Sequence, residues 1–417
     1  MKKFLYAAAA FGLGLVSLAP PAAALTEETE ILLELLEAKG VIGKGEAAAF
    51  RQAIEERMAA GQATPGRAAA SVKQSQPTSG VQDRIDRLEE ALASATGAKN
   101  VNISGVIEVE AAAARQKNPA GNSSSTSDIS LATAELDVDA AVNDNVDIHV
   151  ALLYEEGDTD PPNIDEAYVR LHGGDELAAY LQAGRMYVPF GVFSSRFITD
   201  PVTLTLGETS DSAILLGYDL APFSFAVGGF QGAVKKAGKE DKVNVAVAAV
   251  SYTLPDGAIP GVAATFTGSW LSNLATSDTL QGMTTTAGQV QEPAAGLGAA
   301  LHLEVAGRFF LDAEYVGALD DFAATDFTFT DAANRRPRAW NVELATPLTE
   351  RLEAALRYGG SDEAGTATTA FLPEEEYGLA FGYQLFANTS LTAEYLWQEF
   401  TDTSKNRQGG VQLAVEF

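Results

Sequence analysis

From Val101 onward, apolar and polar residues alternate along segments of about ten residues. In the first segment one face carries Val101, Ile103, Ile107 and Val109, and the other carries Asn102, Ser104, Glu108 and Glu110. Charged residues fall on the polar face of the next two segments as well, for example Asp137 and Asp147. An alternation with a period of two predicts strands that face lipid on one side and a polar lumen on the other.

The same pattern continues to the end of the chain and predicts about sixteen strands. They fall near residues 101–114, 128–142, 146–155, 164–172, 177–187, 211–219, 222–230, 242–254, 260–271, 295–305, 307–317, 338–346, 350–359, 375–386, 389–400 and 409–417. We therefore expect an all-β fold, an antiparallel up-and-down transmembrane β-barrel over residues 100–417.

The connections between these strands alternate in length. Short turns alternate with long polar connections at 115–127, 156–163, 188–210, 231–241, 272–294, 318–337, 360–374 and 401–408. Short periplasmic turns opposite long extracellular loops are typical of outer-membrane barrels, and they place both barrel ends in the periplasm. Aromatic residues near strand ends, such as Tyr358, Tyr395 and Trp397, predict girdles at the two membrane interfaces.

The chain begins with the features of a secretory signal peptide over residues 1–24. Lys2 and Lys3 precede an apolar stretch, and Ala22-Ala23-Ala24 offers a cleavage site. After it, no apolar run is long enough for a membrane helix.

Three further segments are expected before the barrel. Residues 25–60 predict a periplasmic helical hairpin, residues 61–80 a flexible linker rich in Ala, Ser, Gln and Pro, and residues 81–96 a short coiled-coil helix. Two heptads leave two alternatives open, a trimerising coiled coil or a single helix packed under the barrel. A homotrimer is therefore one expected assembly, supported by analogy with porins of this size.

Composition excludes several classes of function. The formal net charge of -28, which becomes -30 without Lys2 and Lys3, disfavours nucleic-acid partners. The chain has no cysteine, and its three histidines, His149, His172 and His302, lie on separate segments without metal-ligand spacing. We predict no enzyme activity, no cofactor and no metal site.

Charged residues on the polar face would line the lumen, with acids outnumbering arginines. This inward set comprises Glu135, Asp137, Asp139, Glu166, Arg170, Gln182, His302, Glu304, Arg308, Asp312, Glu314, Glu343, Arg351, Glu353, Arg357, Glu376, Gln384, Glu394 and Glu416. For any single member, an ion pair that braces the wall is the favoured interpretation. The candidate lumen and constriction residues are Arg170, Arg185, Arg196, Asp200, Glu208, Arg308, Arg351 and Arg357.

The connection at 188–210 is unusually apolar, from Val188-Pro189-Phe190-Gly191 to Leu204-Thr205-Leu206. Such a loop should pack against something, and the lumen is available, where the loop would narrow the channel. A lid on the outer rim is the alternative.

Several motifs around this loop resemble the LbtU-type siderophore porins of the outer membrane. They are Ile103-Ser104-Gly105-Val106-Ile107-Glu108-Val109-Glu110, Leu153-Tyr154-Glu155-Glu156, Gly184-Arg185-Met186-Tyr187-Val188-Pro189-Phe190-Gly191, and Asp200-Pro201 through Leu206-Gly207-Glu208-Thr209. The resemblance covers most of residues 100–417. It implies a barrel of the sixteen-stranded type that admits a ferric siderophore by diffusion, without a plug domain.

Three functional hypotheses follow. The first is a porin for ferric siderophores or similar small solutes, and the second is a general diffusion porin of the same fold. The third is a structural barrel whose periplasmic helices tether the membrane to the cell wall. The expected partners are outer-membrane lipid, lipopolysaccharide and a small-molecule solute. The acidic lumen and loops would favour cations, whereas many ferric siderophores are anionic, and the sequence leaves that conflict open.

Overall fold

The computed structural model describes residues 100–157, 159, 161–174, 177–330 and 333–417. Its strands are β1 Asn100–Lys117, β2 Ser123–Asn143, β3 Val146–Tyr154, β4 Asn163–His172, β5 Ala179–Tyr187, β6 Ser210–Leu220, β7 Phe223–Phe230, β8 Lys235–Lys236, β9 Val245–Thr253, β10 Val262–Leu271, β11 Gln289–Val290, β12 Gly296–Val305, β13 Phe309–Ala318, β14 Arg338–Pro347, β15 Leu352–Asp362, β16 Glu375–Phe386, β17 Thr389–Glu399 and β18 Lys405–Glu416.

Sixteen of these strands form one closed antiparallel barrel, and β8 and β11 pair in parallel outside it. Each barrel strand pairs with its sequence neighbour in the barrel, and β1 closes the barrel against β18, with Val106 opposite Glu416 and Lys117 opposite Lys405. The expectation of an all-β barrel with about sixteen strands is confirmed.

The prediction of a long connection is wrong at two places. Residues 115–117 belong to β1, residues 123–127 to β2 and residues 405–408 to β18, which leaves short turns at 118–122 and 400–404. The strand residues on both sides of the first turn are polar on both faces, as in Arg115-Gln116-Lys117, so the strands extend past the apolar part of the wall. A polar composition alone does not mark the end of a strand that rises into water.

The outer face of the barrel is apolar. Exposed side chains such as Ile107, Leu216, Val227, Leu344 and Leu356 alternate with less exposed residues that point to the lumen. Aromatic residues form a row on the outside of β15 to β17, where Tyr358 contacts Tyr377 and Tyr395 contacts Trp397. These features match the lipid-facing band and girdle of a membrane barrel.

The extracellular end, opposite the barrel ends Asn100 and Phe417, carries the long connections and a hydrophobic core of its own. A short α-helix, α2 (Asp278–Gly282), and a 3₁₀ helix at Leu274–Thr276 lie there, and the helix α1 (Val202–Gly207) contacts α2 from inside the barrel, against β13 and β14. Phe327, Phe329 and Phe371 stack in sequence, and Phe322 meets Phe327 edge to face, with ring centroids about 5 Å apart. The outer loops are therefore packed against one another.

The signal peptide, helical hairpin, linker and coiled-coil helix predicted over residues 1–96 lie outside the described residues. In the part of the chain that the structure describes, no helix is both long and apolar enough to cross a membrane.

Candidate functional site

The connection from β5 to β6, residues 188–209, is here called the inward segment. Its ends are joined by a hydrogen bond from Val188 N to Thr209 O of 2.9 Å. Phe190 and Leu206 are buried in the core beneath the outer loops. Gly191 has a φ of 85°, and a Cβ there would lie 2.1 Å from the Phe193 ring, so the sharp turn after Phe190 requires glycine.

Backbone N–H groups of the inward segment donate to glutamates on the barrel wall. Val192 N and Phe193 N donate to Glu314 of β13, at 2.7 and 3.1 Å. Arg196 N donates to Glu343 of β14 at 2.8 Å. These glutamates alternate with lipid-facing residues along their strands, so their side chains point inward. The segment therefore lies in the lumen, and the alternative of a lid on the rim is wrong.

A third glutamate holds the far end of the segment. Glu394 of β17 accepts hydrogen bonds from Ile198 N at 2.8 Å and from Thr199 N at 3.1 Å. Between these anchors, Phe197 packs in a cluster with the inward alanines of β14 to β16 and with Leu396. Gly378 makes room for it, because a Cβ there would lie 2.5 Å from the Phe197 ring.

Arg357 of β15 occupies the centre of this wall. Its guanidinium lies 3.0 Å from Glu343 and 3.2 Å from Glu376, and all three side chains are almost completely buried. It also donates to Ser195 Oγ at 2.6 Å and lies over the Phe197 ring at 4.3 Å. One buried cation thus joins two wall carboxylates to the inward segment.

Arg196 makes the matching contact from the segment side. Its Nη1 lies 2.8 Å from Asp312 and its Nε lies 2.9 Å from Glu353, and His302 shares Asp312 at 2.6 Å. We call the inward faces of β13 to β17, with these anchors, the latched wall. On it, cations and backbone donors satisfy the carboxylates.

The wall on the other side of β18 is different. The inward acids of β1 and β2, namely Glu108, Glu110, Glu135, Asp137 and Asp139, are here called the open wall. Among the described residues none of them forms an ion pair with lysine or arginine. Asp139 contacts His149 at 2.7 Å, and Glu110 accepts from Gln412 at 2.9 Å. The acids of this wall therefore lack the arginine partners that the acids of the latched wall have.

The structure brings three of the predicted constriction residues together. Glu343 accepts hydrogen bonds from both Arg196 N and the Arg357 guanidinium. Arg357 Nη1 also donates to the backbone oxygen of Asp200 at 3.4 Å. Desolvation raises the pKa of the Asp200 carboxyl against the effect of Arg357, and the negative charges of Glu108 and Glu394 raise it further. Asp200 thus stands at the edge of the segment that faces the open wall.

Glu208 lies at the end of α1, beside α2. Asp278 N donates to the backbone oxygen of Glu208 at 2.8 Å, and Asp278 Oδ2 accepts from Ser210 N at 2.9 Å. Burial raises the pKa of Glu208 to about 7, and the charge of Asp278 adds to the shift. Burial likewise raises the pKa of Asp278 to about 6. This pair belongs to the extracellular mouth.

The other four predicted residues do not join the constriction. Arg170 points inward near the periplasmic end, 3.9 Å over the Tyr180 ring and 3.8 Å from Asp219. Arg308 and Arg351 lie at exposed periplasmic turns. The prediction that Arg185 lines the constriction is wrong. Arg185 pairs with Ser212 and Ala167 on the outward side of the wall and donates to the Asp165 backbone oxygen. The inward position is occupied by Met186, the next residue.

Sequence reasoning placed Glu314, Glu343 and Glu394 on the inner face but missed their role as anchors. Ser195, Thr199 and Thr203 were not singled out, although Thr203 donates to Glu314 at 2.8 Å. One sequence signal could have indicated that the loop packs against this wall. Small inward residues, such as Gly378 and Ala380, leave room for an aromatic side chain, and the loop carries Phe190, Phe193 and Phe197. Among the described residues, no group of acids and histidines could hold a metal ion.

Comparisons with known proteins place the chain among barrels of this kind. Residues 102–198, from β1 into the inward segment, match the family described as phosphate-selective porin O and P. A UPF0422 protein of Legionella pneumophila (strain Lens) is 28% identical over 315 residues, covering 68% of this chain and 56% of the relative. A UPF0422 protein of Coxiella burnetii is 28% identical over 284 residues, covering 65% and 59%. The chain thus spans somewhat over half the length of these relatives.

Two solved structures have a similar fold. The outer membrane channel DcaP of Acinetobacter baumannii gives a TM-score of 0.55 at 15% identity, over 76% of this chain and 97% of that one. An anion-selective porin from Comamonas acidovorans gives 0.54 at 14% identity, over 76% and 99%. At such identities the likeness concerns the fold alone. Together with the apolar outer face, it identifies the fold of this chain as that of a bacterial outer-membrane porin.

Proposed function

We propose that this protein is a passive diffusion porin for small hydrophilic solutes, with a preference for cationic and neutral solutes over anions. The observation that carries the proposal is the asymmetry of the lumen. The inward segment fills one side, and its anchors use the arginines there. The solute path runs along the open wall, whose acids have no lysine or arginine partner among the described residues, so its field attracts cations.

The first test is ion selectivity in a planar bilayer containing the refolded full chain. In a gradient of potassium chloride, the reversal potential should show a permeability for potassium above that for chloride. The excess should shrink as salt rises, because screening weakens the field of exposed charges. A pore that prefers chloride would overturn the proposal.

Ferric siderophores are the narrower candidate solute, supported by the resemblance of the motifs at residues 184–191 and 200–209 to siderophore porins. An acidic path should favour neutral or cationic complexes. We expect a cationic ferric siderophore to interrupt the current at micromolar concentration, and a trianionic one of similar size to leave it unchanged. Currents indifferent to every siderophore would leave a general diffusion porin.

Phosphate is the second candidate, because the matching family is described as phosphate-selective. Arg170 is the inward arginine outside the latched wall that could attract an anion. Addition of inorganic phosphate to the same bilayer tests this directly, and we expect no block. A homotrimer stays a prediction, to be checked by light scattering of the detergent-solubilised protein.

A further inference from the structure

Four basic residues meet where the barrel closes. Arg115 of β1 lies directly opposite Arg407 of β18, and Lys117 lies opposite Lys405. We call Arg115, Lys117, Lys405 and Arg407 the basic quartet. About 290 residues of sequence separate its two halves, so only the closure of the barrel brings them together.

The quartet faces outward. On β18 the alternate residues point to the lumen, since Gln408 donates to Thr199 of the inward segment and Gln412 donates to Glu110. Arg407 therefore points away from the lumen, and its partner on the other side is Trp397, an exposed residue of the outer aromatic row. Arg115 and Lys117 have the same orientation, as their pairing partners require.

The depth of the quartet follows from the apolar face of β1. Outward residues from Ile103 to Ala113 carry no charge. At roughly 3.3 Å per residue and a tilt of about 40°, that stretch spans roughly 25 Å, the height of the lipid-facing band. Arg115 is the next outward residue, so it stands at the level of the lipid headgroups on the extracellular side.

Most of this positive charge is uncompensated. Among the described residues, Lys405 pairs with Glu399, whereas Arg115, Lys117 and Arg407 have no carboxylate partner. Their neighbours on β2 are the exposed, neutral Ser125 and Ser123. Like charges directly opposite each other destabilise a sheet, and this occurs in a chain with a net charge of -28. A bound external anion would offset the repulsion between these opposed basic residues.

We propose that the basic quartet binds phosphate groups of the lipid in the outer leaflet. Arginine donates two parallel hydrogen bonds to a phosphate, and serine hydroxyls of β2 are within the same surface. Below the quartet the outward residues Ala111 and Ala113 of β1 are small and exposed, which leaves room for acyl chains beside the Tyr395 ring that covers Gly409. The inference requires only that the barrel stands in its membrane, and it is independent of the solute.

The test compares the full-length parent with Arg115→Gln/Arg407→Gln. The control is Lys239→Gln/Arg336→Gln, which removes the same charge from exposed extracellular loops. Binding of bisphosphorylated lipid A in detergent is measured by native mass spectrometry, alongside dephosphorylated lipid A and inorganic phosphate. We expect the quartet variant to bind the phosphorylated lipid about tenfold more weakly than the parent. The control should match the parent, and the dephosphorylated lipid should not distinguish the three proteins.

A second readout does not depend on detecting the bound lipid. Without lipid, the quartet variant should unfold at the same temperature as the parent or higher, because repulsion between Arg115 and Arg407 is gone. Phosphorylated lipid A should then raise the unfolding temperature of the parent but not of the variant, and Arg115→Lys/Arg407→Lys should recover part of the rise. Equal lipid binding by parent and variant would overturn the proposal. So would stabilisation of the parent by inorganic phosphate alone to the same extent, since that would indicate an anion site without a lipid.

Discussion

The two sides of the lumen carry similar residues and use them differently. On the latched wall, Glu314, Glu343 and Glu394 accept hydrogen bonds from the backbone of the inward segment, and Arg357 is buried between two carboxylates. On the open wall, Glu108, Glu135 and Asp137 are half-buried and have no lysine or arginine partner among the described residues. A glutamate on the inner face of this barrel thus either anchors the inward segment or contributes to the electrostatic field of the lumen. The difference depends on whether a loop reaches it.

Removal of the buried Arg357 side chain should abolish the difference between the two walls most completely. Arg357→Ala leaves Glu343 and Glu376 buried without their partner, and loss of one member of a buried pair costs about 3–5 kcal/mol. We expect a lower urea midpoint in detergent and a larger single-channel conductance, because the segment loses its central contact. Arg351→Ala, at an exposed turn, should change the free energy of unfolding by less than about 0.5 kcal/mol. An Arg357→Ala variant with parental stability and conductance would show that Arg357 does not hold the inward segment against the latched wall.

A smaller effect is expected from one anchor. Glu394→Gln weakens the acceptor for Ile198 N and Thr199 N, at a cost of about 1–3 kcal/mol. The barrel itself should stay intact, whereas the far end of the segment should become mobile. Single-channel recordings should show added current fluctuations. Glu416→Gln serves as the control, since Glu416 lies at the exposed end of β18 and should leave the recordings unchanged.

The open wall should respond in selectivity and not in stability. Glu108→Gln/Glu135→Gln/Asp137→Asn removes three carboxyl groups that are unpaired with lysine or arginine, so the unfolding midpoint should not fall. The permeability ratio of potassium to chloride should fall toward unity, measured as a shift in reversal potential at low salt. Neutralising Glu240, Asp320 and Asp321 in the outer loops should shift it less. An equal shift would mean that the mouth, and not the open wall, sets selectivity.

The smallest effect concerns pH at the mouth. Burial raises the pKa of Glu208 to about 7 and that of Asp278 to about 6, so the folded protein binds protons that the unfolded chain would release. The contribution of this pair to stability is therefore fully present only below the ordinary values of 3.8 for Asp278 and 4.5 for Glu208, and it is lost as pH rises through about 6 and 7. Lowering pH from 7.5 to 5.5 should modestly reduce cation conductance at low salt. In Glu208→Gln/Asp278→Asn, this part of the pH dependence should be absent.

Much of this molecule follows from local sequence. The period-two alternation from Val101 to Phe417 gave the sixteen strands to within a few residues, because each strand must present an apolar face to lipid. It also assigned Glu343 and Arg357 to the inner face. The extension of β1, β2 and β18 was missed, since a strand above the membrane no longer alternates between lipid and water. Arg185 was misplaced because Met186, and not Arg185, occupies the inward position near the end of β5.

The sequence by itself thus determined the fold and the face on which most charged residues lie, because burial against lipid acts on each strand separately. Only the tertiary structure decided which carboxylates anchor the inward segment and which are left without a lysine or arginine partner. Those contacts join residues more than 100 positions apart, such as Val192 and Glu314. The same holds for Arg115 and Arg407, whose opposition depends on the register in which the last strand closes on the first.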